Sequence, residues 1–447
     1  MHSRVLAAAL LCPLMAAAAP ASAADSQPLG GLLLRFFSTD NPVILRDAPA
    51  PFSHAAHFVS QPVAQSVLQE LNKNIATQIS TFPLGSSSPG FTFTFDPTTG
   101  VFNRSADSFG PVFSERPLTA GKRKLSFGVS YLRASYDTLE GQKLRENDLQ
   151  LYLTHQDVNS DAVNTNPWFE GDVIRADLSI DIKTNTTVAV ANYGVTDRLD
   201  IGIAVPFQSV KLDTRITTTL DRLSTDADAP ALVLHIFPDG TNSHVFGENG
   251  EASGLGDVVL RGKYNFMRRP NMGLAMGLDL RVPTGDEDNL LGSGATQTRL
   301  YLIAGASGKR FAPRANAGYT FSSGGGEFTG ELPNELSYSA GFDAVLHSRA
   351  TFTADILGRT LIDTGRVVER DRSFSFVLRN TPTNVQTVTR QSAVSESGKN
   401  LNLLLGAANV KINIVGRLLV NAGALFGLGD SGLQDTVTPV FGIDYAF

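Results

Sequence analysis

Apolar side chains recur at every second position through most of the C-terminal three quarters of the chain, and a period of two predicts strands rather than helices. Leu125, Phe127, Val129 and Tyr131 alternate with Ser126, Gly128 and Ser130. Ile174, Ala176, Leu178, Ile180 and Ile182 alternate with Arg175, Asp177, Ser179, Asp181 and Lys183, and the rhythm returns over 199–207, 274–281 and 351–356. These segments run about 10 to 20 residues, longer than sandwich strands and matched to tilted strands that cross a bilayer. Short turns near 193–197, 268–271, 309–310 and 347–349 take turns with longer polar segments at 137–170, 219–252 and 365–397. The pattern predicts an all-β fold, a transmembrane antiparallel up-and-down β-barrel of about twelve strands, with fourteen as the alternative, over residues 122–447. Its first and last strands should pair, because an open edge in hydrocarbon leaves a row of amides without partners.

Residues 24–121 break this rhythm. Val63, Val67, Leu68, Leu71, Ile75 and Ile79 recur at helical spacing and predict one amphipathic helix between Gln61 and Ser80. Phe91, Phe93 and Phe95, a turn over 96–100, then Val101 and Phe102 read as a hairpin whose arms are too short to span a bilayer. A periplasmic extension is the plainest placement for this region. A plug folded into the lumen, or two added barrel strands, are the alternatives.

The first residues change the picture of the compartment. His2 and Arg4, an apolar run from Val5 to Ala19, and Ala21-Ser22-Ala23 form the pattern of a cleavable export signal over 1–23. A lipoprotein start at Cys12 is disfavoured by the bulky Leu11 before it. Cys12 is the one cysteine of the chain, so cleavage leaves a mature protein with neither disulfide nor thiolate chemistry. Beyond the signal, no stretch approaches the roughly 18 to 20 apolar residues of a spanning helix. A formal charge of −6 gives no reason to expect a nucleic-acid partner.

The C-terminus ends with Phe441, Ile443, Tyr445 and Phe447 on one face and Gly442, Asp444 and Ala446 on the other. This terminal aromatic face resembles the signal read by the outer-membrane assembly machinery. The expected surroundings are therefore the bacterial outer membrane, its lipids and that machinery.

Twelve charged residues fall opposite the apolar faces: Arg175, Asp177, Asp181, Lys183, Arg261, Lys263, Asp279, Arg281, Asp343, Asp355, Arg359 and Asp444. Each Arg or Lys facing lipid at mid-bilayer would cost about 2–4 kcal/mol, so all twelve are expected to line the lumen. There they would bridge strands or orient polar solutes, and their mixed signs argue against strong ion selection. Six histidines lie beyond the signal, His54, His57, His155, His235, His244 and His347, with no nucleophile motif beside them. Those in the outer segments read as exposed polar residues. Neither His54 with His57 nor Glu248 with Glu251 makes a ligand set. No catalytic residue, metal site or cofactor is expected.

A more specific resemblance rests on Gly254-Leu255-Gly256-Asp257-Val258-Val259-Leu260-Arg261-Gly262-Lys263-Tyr264, on Leu280-Arg281-Val282-Pro283-Thr284-Gly285-Asp286, on Leu291-Gly292-Ser293-Gly294, and on the turn Tyr193-Gly194-Val195-Thr196-Asp197-Arg198-Leu199. Over roughly 170–447 the chain resembles the outer-membrane proteins of the MetA-pathway phenol-degradation family. The resemblance implies a barrel that moves small organic solutes, hydrophobic or aromatic ones, and it supplies no catalytic residue. An adhesion barrel that binds partners through its outer loops, and a barrel hydrolase, are the rival readings. An N-terminal segment ahead of a barrel is similar in architecture to the long-chain fatty-acid transporters, whose plug controls passage.

Overall fold

A strand buried in hydrocarbon can pair its amides only with neighbouring strands, so a sheet that crosses a membrane has to close on itself. The computed structural model of the chain describes residues 28–37, 43–46, 55–58, 62–88, 90–96, 98, 101–162, 165–224, 234–269 and 271–447. The export signal read over 1–23, with Cys12, and His54 lie outside the described residues. Twelve strands form one closed antiparallel ring. They are β1 (Leu125–Tyr136), β2 (Val173–Gly194), β3 (Leu199–Asp221), β4 (Val258–Arg269), β5 (Met272–Val282), β6 (Ala295–Ala306), β7 (Phe311–Gly326), β8 (Glu335–His347), β9 (Ala350–Leu378), β10 (Thr381–Val415), β11 (Leu418–Gly427) and β12 (Thr438–Ala446). Each pairs with the next, and β12 returns to β1 from Val440 opposite Leu132 to Ala446 opposite Ser126. Phe447 N–H donates to Leu125 O at 2.8 Å, so the two ends meet at the rim that carries the short turns.

The outward positions of these strands carry a band of exposed apolar side chains, among them Ile201, Leu260, Leu278, Leu302, Phe321 and Phe441. A closed ring wearing such a band is a β-barrel of the outer-membrane type. Among the described residues no helix is long and apolar enough to cross a membrane.

β2 and β3 show where the band ends. Their pairing runs without a bulge from Val173 opposite Asp221 to Gly194 opposite Asp200, so odd residues face outward and even residues inward along its whole length. Near the turn the apolar side chains are the odd, exposed ones: Tyr193, Ile201, Ile203 and Phe207. Beyond Lys183 and Lys211, which sit opposite each other, they become the even, buried ones: Ile174, Ala176, Leu178, Ile180 and Ile182, with Leu212, Ile216 and Leu220. Above this level the outside is water, and the apolar face turns to a protein core inside the mouth.

That core is built by the N-terminal region. The helix α1 (Pro62–Ser80) buries Val67, Leu68, Leu71, Ile75 and Ile79 against Leu149, Leu151 and the inward face of β2. Residues 28–37 join from beside the outer strand Ser243–Leu255: Gly30 N–H donates to Asp288 O at 2.9 Å, and Arg35 lies 3.8 Å from Glu248. Of the segments expected as polar loops, 365–397 is almost wholly strand and the other two are strand in part. Leu149–Thr154 and Ser243–Leu255 extend the wall beside β2 and β3, and β9 and β10 run on as a long hairpin. The hairpin leans across the mouth, where Phe374 packs on Tyr152 and Val173 and Arg372 Nη1 donates to Tyr152 O at 3.0 Å. Strands standing in water keep their pairing but lose the simple lipid-facing alternation, and therefore read as loops.

From α1 the chain descends inside the ring. Residues 81–121 run to the opposite rim, where Gly121 meets the turn after β2 so closely that a Cβ on Gly194 would lie 1.9 Å from Gly121 O. The hairpin Phe93–Asp96 with Val101–Arg104 pairs with itself and adds no strand to the barrel. This layout predicts that a tag inserted after Asn159 is reached by antibody on intact cells and one inserted after Asn271 is not. The opposite labelling would invert the barrel.

Candidate functional site

The lumen is a polar wall wrapped around residues 81–121. Arg281 and Arg359 hold the entry of that segment: Arg281 Nη1 donates to Ser80 O at 2.9 Å and Arg359 Nη2 to Thr81 Oγ1 at 2.8 Å. Arg261 Nη1 donates to Gly85 O at 2.8 Å. Lower down, Lys263 donates to Glu115 Oε2 at 3.3 Å and to Ser88 Oγ at 3.1 Å. Asn316 binds Glu115 through both backbone groups, at 2.8 and 2.9 Å, and Asn265 Nδ2 donates to Pro117 O at 2.7 Å. Near the far rim Ala120 N–H donates to Asp200 Oδ2 at 2.9 Å.

Arg314 organises a deeply buried cluster of charges. It donates to Asp343, to Asp355 Oδ1 at 2.6 Å and to Ser114 Oγ, while Ser114 donates to Asp355 Oδ1 at 2.5 Å and Ser108 to Asp343 Oδ2 at 2.9 Å. Two barrel carboxylates thus bond at once to a barrel guanidinium and to hydroxyls of the inner segment. A buried charge is tolerable only when partnered in this way.

Of the twelve charges expected in the lumen, Arg261, Lys263, Arg281, Asp343, Asp355 and Arg359 bond to the inner segment or its entry, while Asp279 and Asp444 pair with barrel side chains. Strand-to-strand bridging accounts for part of their role, since Arg359 bonds Glu335 at 2.6 Å, Lys411 lies 3.3 Å from Asp444, and Arg299 lies 3.8 Å from Asp279. The other four are corrected. Arg175, Asp177, Asp181 and Lys183 face outward above the apolar band and pair among themselves, Arg175 with Asp177 at 3.1 Å and Lys183 with Asp181 at 2.5 Å. Their apolar neighbours face a protein core rather than lipid, which reverses the sense of the alternation. Glu115 and Arg314 escaped notice, the first because it lies outside the barrel strands, the second because it stands near a strand end among small residues. The terminal aromatic face does point outward, with Phe441, Ile443 and Phe447 about half exposed and the Tyr445 and Phe447 rings 4.8 Å apart.

Three cavities follow the inner segment. The outermost, about 40 Å³, is walled mainly by apolar side chains, including Phe82, Tyr136, Leu405, Leu425 and Phe426. It shares Pro83, Leu357 and Arg359 with a middle cavity of about 150 Å³ that is lined by Arg261, Asp279, Arg281, Arg299 and Tyr301. That one shares Leu84, Gly85 and Phe113 with a third of about 60 Å³, which reaches Arg417, Tyr445 and Ala446 at the turn-bearing rim.

Residues 170–359 match the model of a family described by the MetA-pathway of phenol degradation. Through this segment the chain is similar to that family. The glycine-rich motif within it has a local structural task. Asp257 is buried and accepts from Gly285 N–H at 3.1 Å, from Ser293 N–H at 2.9 Å and from Ser293 Oγ at 2.6 Å. Gly285 and Gly292 touch so closely that a Cβ on Gly285 would lie 2.5 Å from Leu291 O and one on Gly292 2.6 Å from Gly285 O. The motif thus ties the connection after β5 to the start of β4. Among solved structures, an outer membrane channel from Pseudomonas putida F1 is similar over 74% of this chain and 98% of its own, at 12% identity and a TM-score of 0.43. A FadL homologue from Pseudomonas aeruginosa covers 80% and 96% at 13% identity and 0.30. The monoaromatic hydrocarbon channel CymD covers 73% and 88% at 10% identity and 0.30. At these scores the likeness is too loose to bear on cargo. No curated protein matches the chain.

Proposed function

We propose that the chain is a passive outer-membrane channel for small hydrophobic or aromatic organic compounds, with residues 81–121 as the constriction that solutes pass. The observation that carries this reading is the succession of three cavities along that segment, each sharing lining residues with the next. The order is apolar, then charged, then mixed. The apolar first chamber, at about 40 Å³, would have to widen to admit a hydrocarbon ring, whereas the charged middle chamber, at about 150 Å³, has the volume of an apolar protein cavity that takes up benzene. The charged middle chamber would orient hydroxyl or carboxyl substituents through Arg261, Arg281 and Arg299. The family's description by phenol degradation supports the same class of compound.

Swelling of liposomes carrying the full chain is the test, with hydroxylated benzoates set against sugars of similar mass and the rate of protein-free vesicles subtracted. The aromatic solutes should enter several-fold faster. Equal rates for both classes would remove the aromatic preference, and rates no different from protein-free vesicles would remove the channel.

A further inference from the structure

Three histidines that are far apart in sequence converge at the outer mouth. His57 belongs to the segment 55–58, His155 follows the outer strand Leu149–Thr154, and His235 lies on the connection between β3 and β4. His57 Nδ1 and His155 Nε2 are 2.7 Å apart, the His155 and His235 rings are centred 4.9 Å apart, and one ring nitrogen of each histidine lies within 4.8 Å of the other two. From their place in the outer segments, exposure is the expectation for these histidines. His155 and His235 are instead only 3% and 1% exposed.

The remaining ring nitrogens of two of them are engaged by oxygen acceptors. His235 Nδ1 bonds Asp172 Oδ2 at 2.8 Å, and the other Asp172 oxygen accepts Ser224 N–H at 3.0 Å. His155 Nδ1 bonds Gln156 O at 2.6 Å. An acceptor at Nδ1 puts the proton there and turns the Nε2 lone pair toward the centre of the cluster, the arrangement that orients and strengthens imidazole ligands. Phe58 and Phe169 pack edge-on around the group, with ring centroids 5.2 to 6.2 Å from those of His155 and His235.

We propose that His57, His155 and His235 form a binding site for a divalent transition metal of the zinc class, which clips the N-terminal segment to the outer wall of the barrel. Three neutral imidazoles suit zinc, copper or nickel and leave a fourth position for water or another ligand. Calcium and magnesium, which take oxygen ligands, are a poor match. Asp172 is a positioning residue, since its carboxylate holds the His235 ring from behind. The clip joins three pieces of chain that also meet through Gln156 N–H to His57 O at 2.9 Å.

The test uses the full chain folded in detergent, stripped with a chelator and re-equilibrated with zinc chloride. Metal counting should find about one zinc per chain, and X-ray absorption should find imidazole nitrogens at about 2.0–2.1 Å. Asp172→Asn should weaken zinc affinity about 10- to 100-fold while the chain keeps its heat-modifiable migration. His57→Ala, at the least buried of the three positions, should lower affinity further without unfolding the barrel. Zinc below about a tenth per chain, or full zinc retained by both His57→Ala and His235→Ala with unchanged affinity, would overturn the site.

Discussion

Removing residues 24–110 while keeping the export signal is expected to leave a barrel that inserts normally and conducts several-fold more current than the full chain. The twelve strands are paired among themselves, and closure between β1 and β12 does not involve the deleted region. What goes is the helix α1, the descent through residues 81–110, and their bonds to Arg261, Arg281 and Arg359. Those side chains would then face water, which solvates them, so the deletion strands no buried charge. Selectivity should pass to the wall. Asp279→Asn with Arg281→Gln should shift the ratio of anion to cation currents in the truncated barrel and alter it little in the full chain. A truncated barrel that migrates as folded yet conducts no better would show that the inner segment does not set the resistance.

Arg314→Ala is expected to be the most damaging single substitution in the wall. It removes the ion pairs of buried Asp343 and Asp355, leaving them the Ser108 and Ser114 hydroxyls and, for Asp343, the nearby Arg116 charge, and breaking a buried ion pair on one side typically costs about 3–5 kcal/mol. The loss should appear as an earlier midpoint in urea unfolding. Because Ser108 and Ser114 bond to the same carboxylates, the inner segment should also loosen, giving noisier single-channel currents. Combining Arg314→Met with Asp343→Asn and Asp355→Asn removes the stranded charge and should restore most of the stability. A midpoint shift worth less than about 1 kcal/mol for Arg314→Ala alone would mean that water already reaches these carboxylates.

The strand register of the membrane-level barrel was legible because lipid imposes a strict rule. Where Ile201, Ile203 and Phe207 face hydrocarbon, the alternation of apolar and polar positions names the inward residues directly. The rule lapsed wherever the outside is water. Along 174–182 the apolar face packs on α1, so Arg175, Asp177, Asp181 and Lys183 were assigned to the wrong side although the strand itself was recognised. The helix was legible from Val67, Leu71 and Ile75, but its place at the outer mouth was not, because an amphipathic face records that a core exists and not where it lies. The histidine cluster was invisible for another reason. His57, His155 and His235 meet only through folding, and no spacing along the chain marks them.

The course of the N-terminal region also limits how this barrel can open. The chain starts its described part at the outer mouth, passes down the ring as residues 81–121, and enters β1 at the opposite rim, so the molecule is threaded through itself. The outer end of that thread carries the 19-residue helix α1, which is knotted by packing into the mouth. Withdrawing the thread toward the periplasm would drag this stopper through the lumen, and pushing it outward is blocked by the covalent join at Lys124. On the proposed function a solute would therefore pass beside a fixed thread, as water passes a cord in a pipe, by local yielding of residues such as Pro83, Leu84 and Phe113 rather than by removal of a cork.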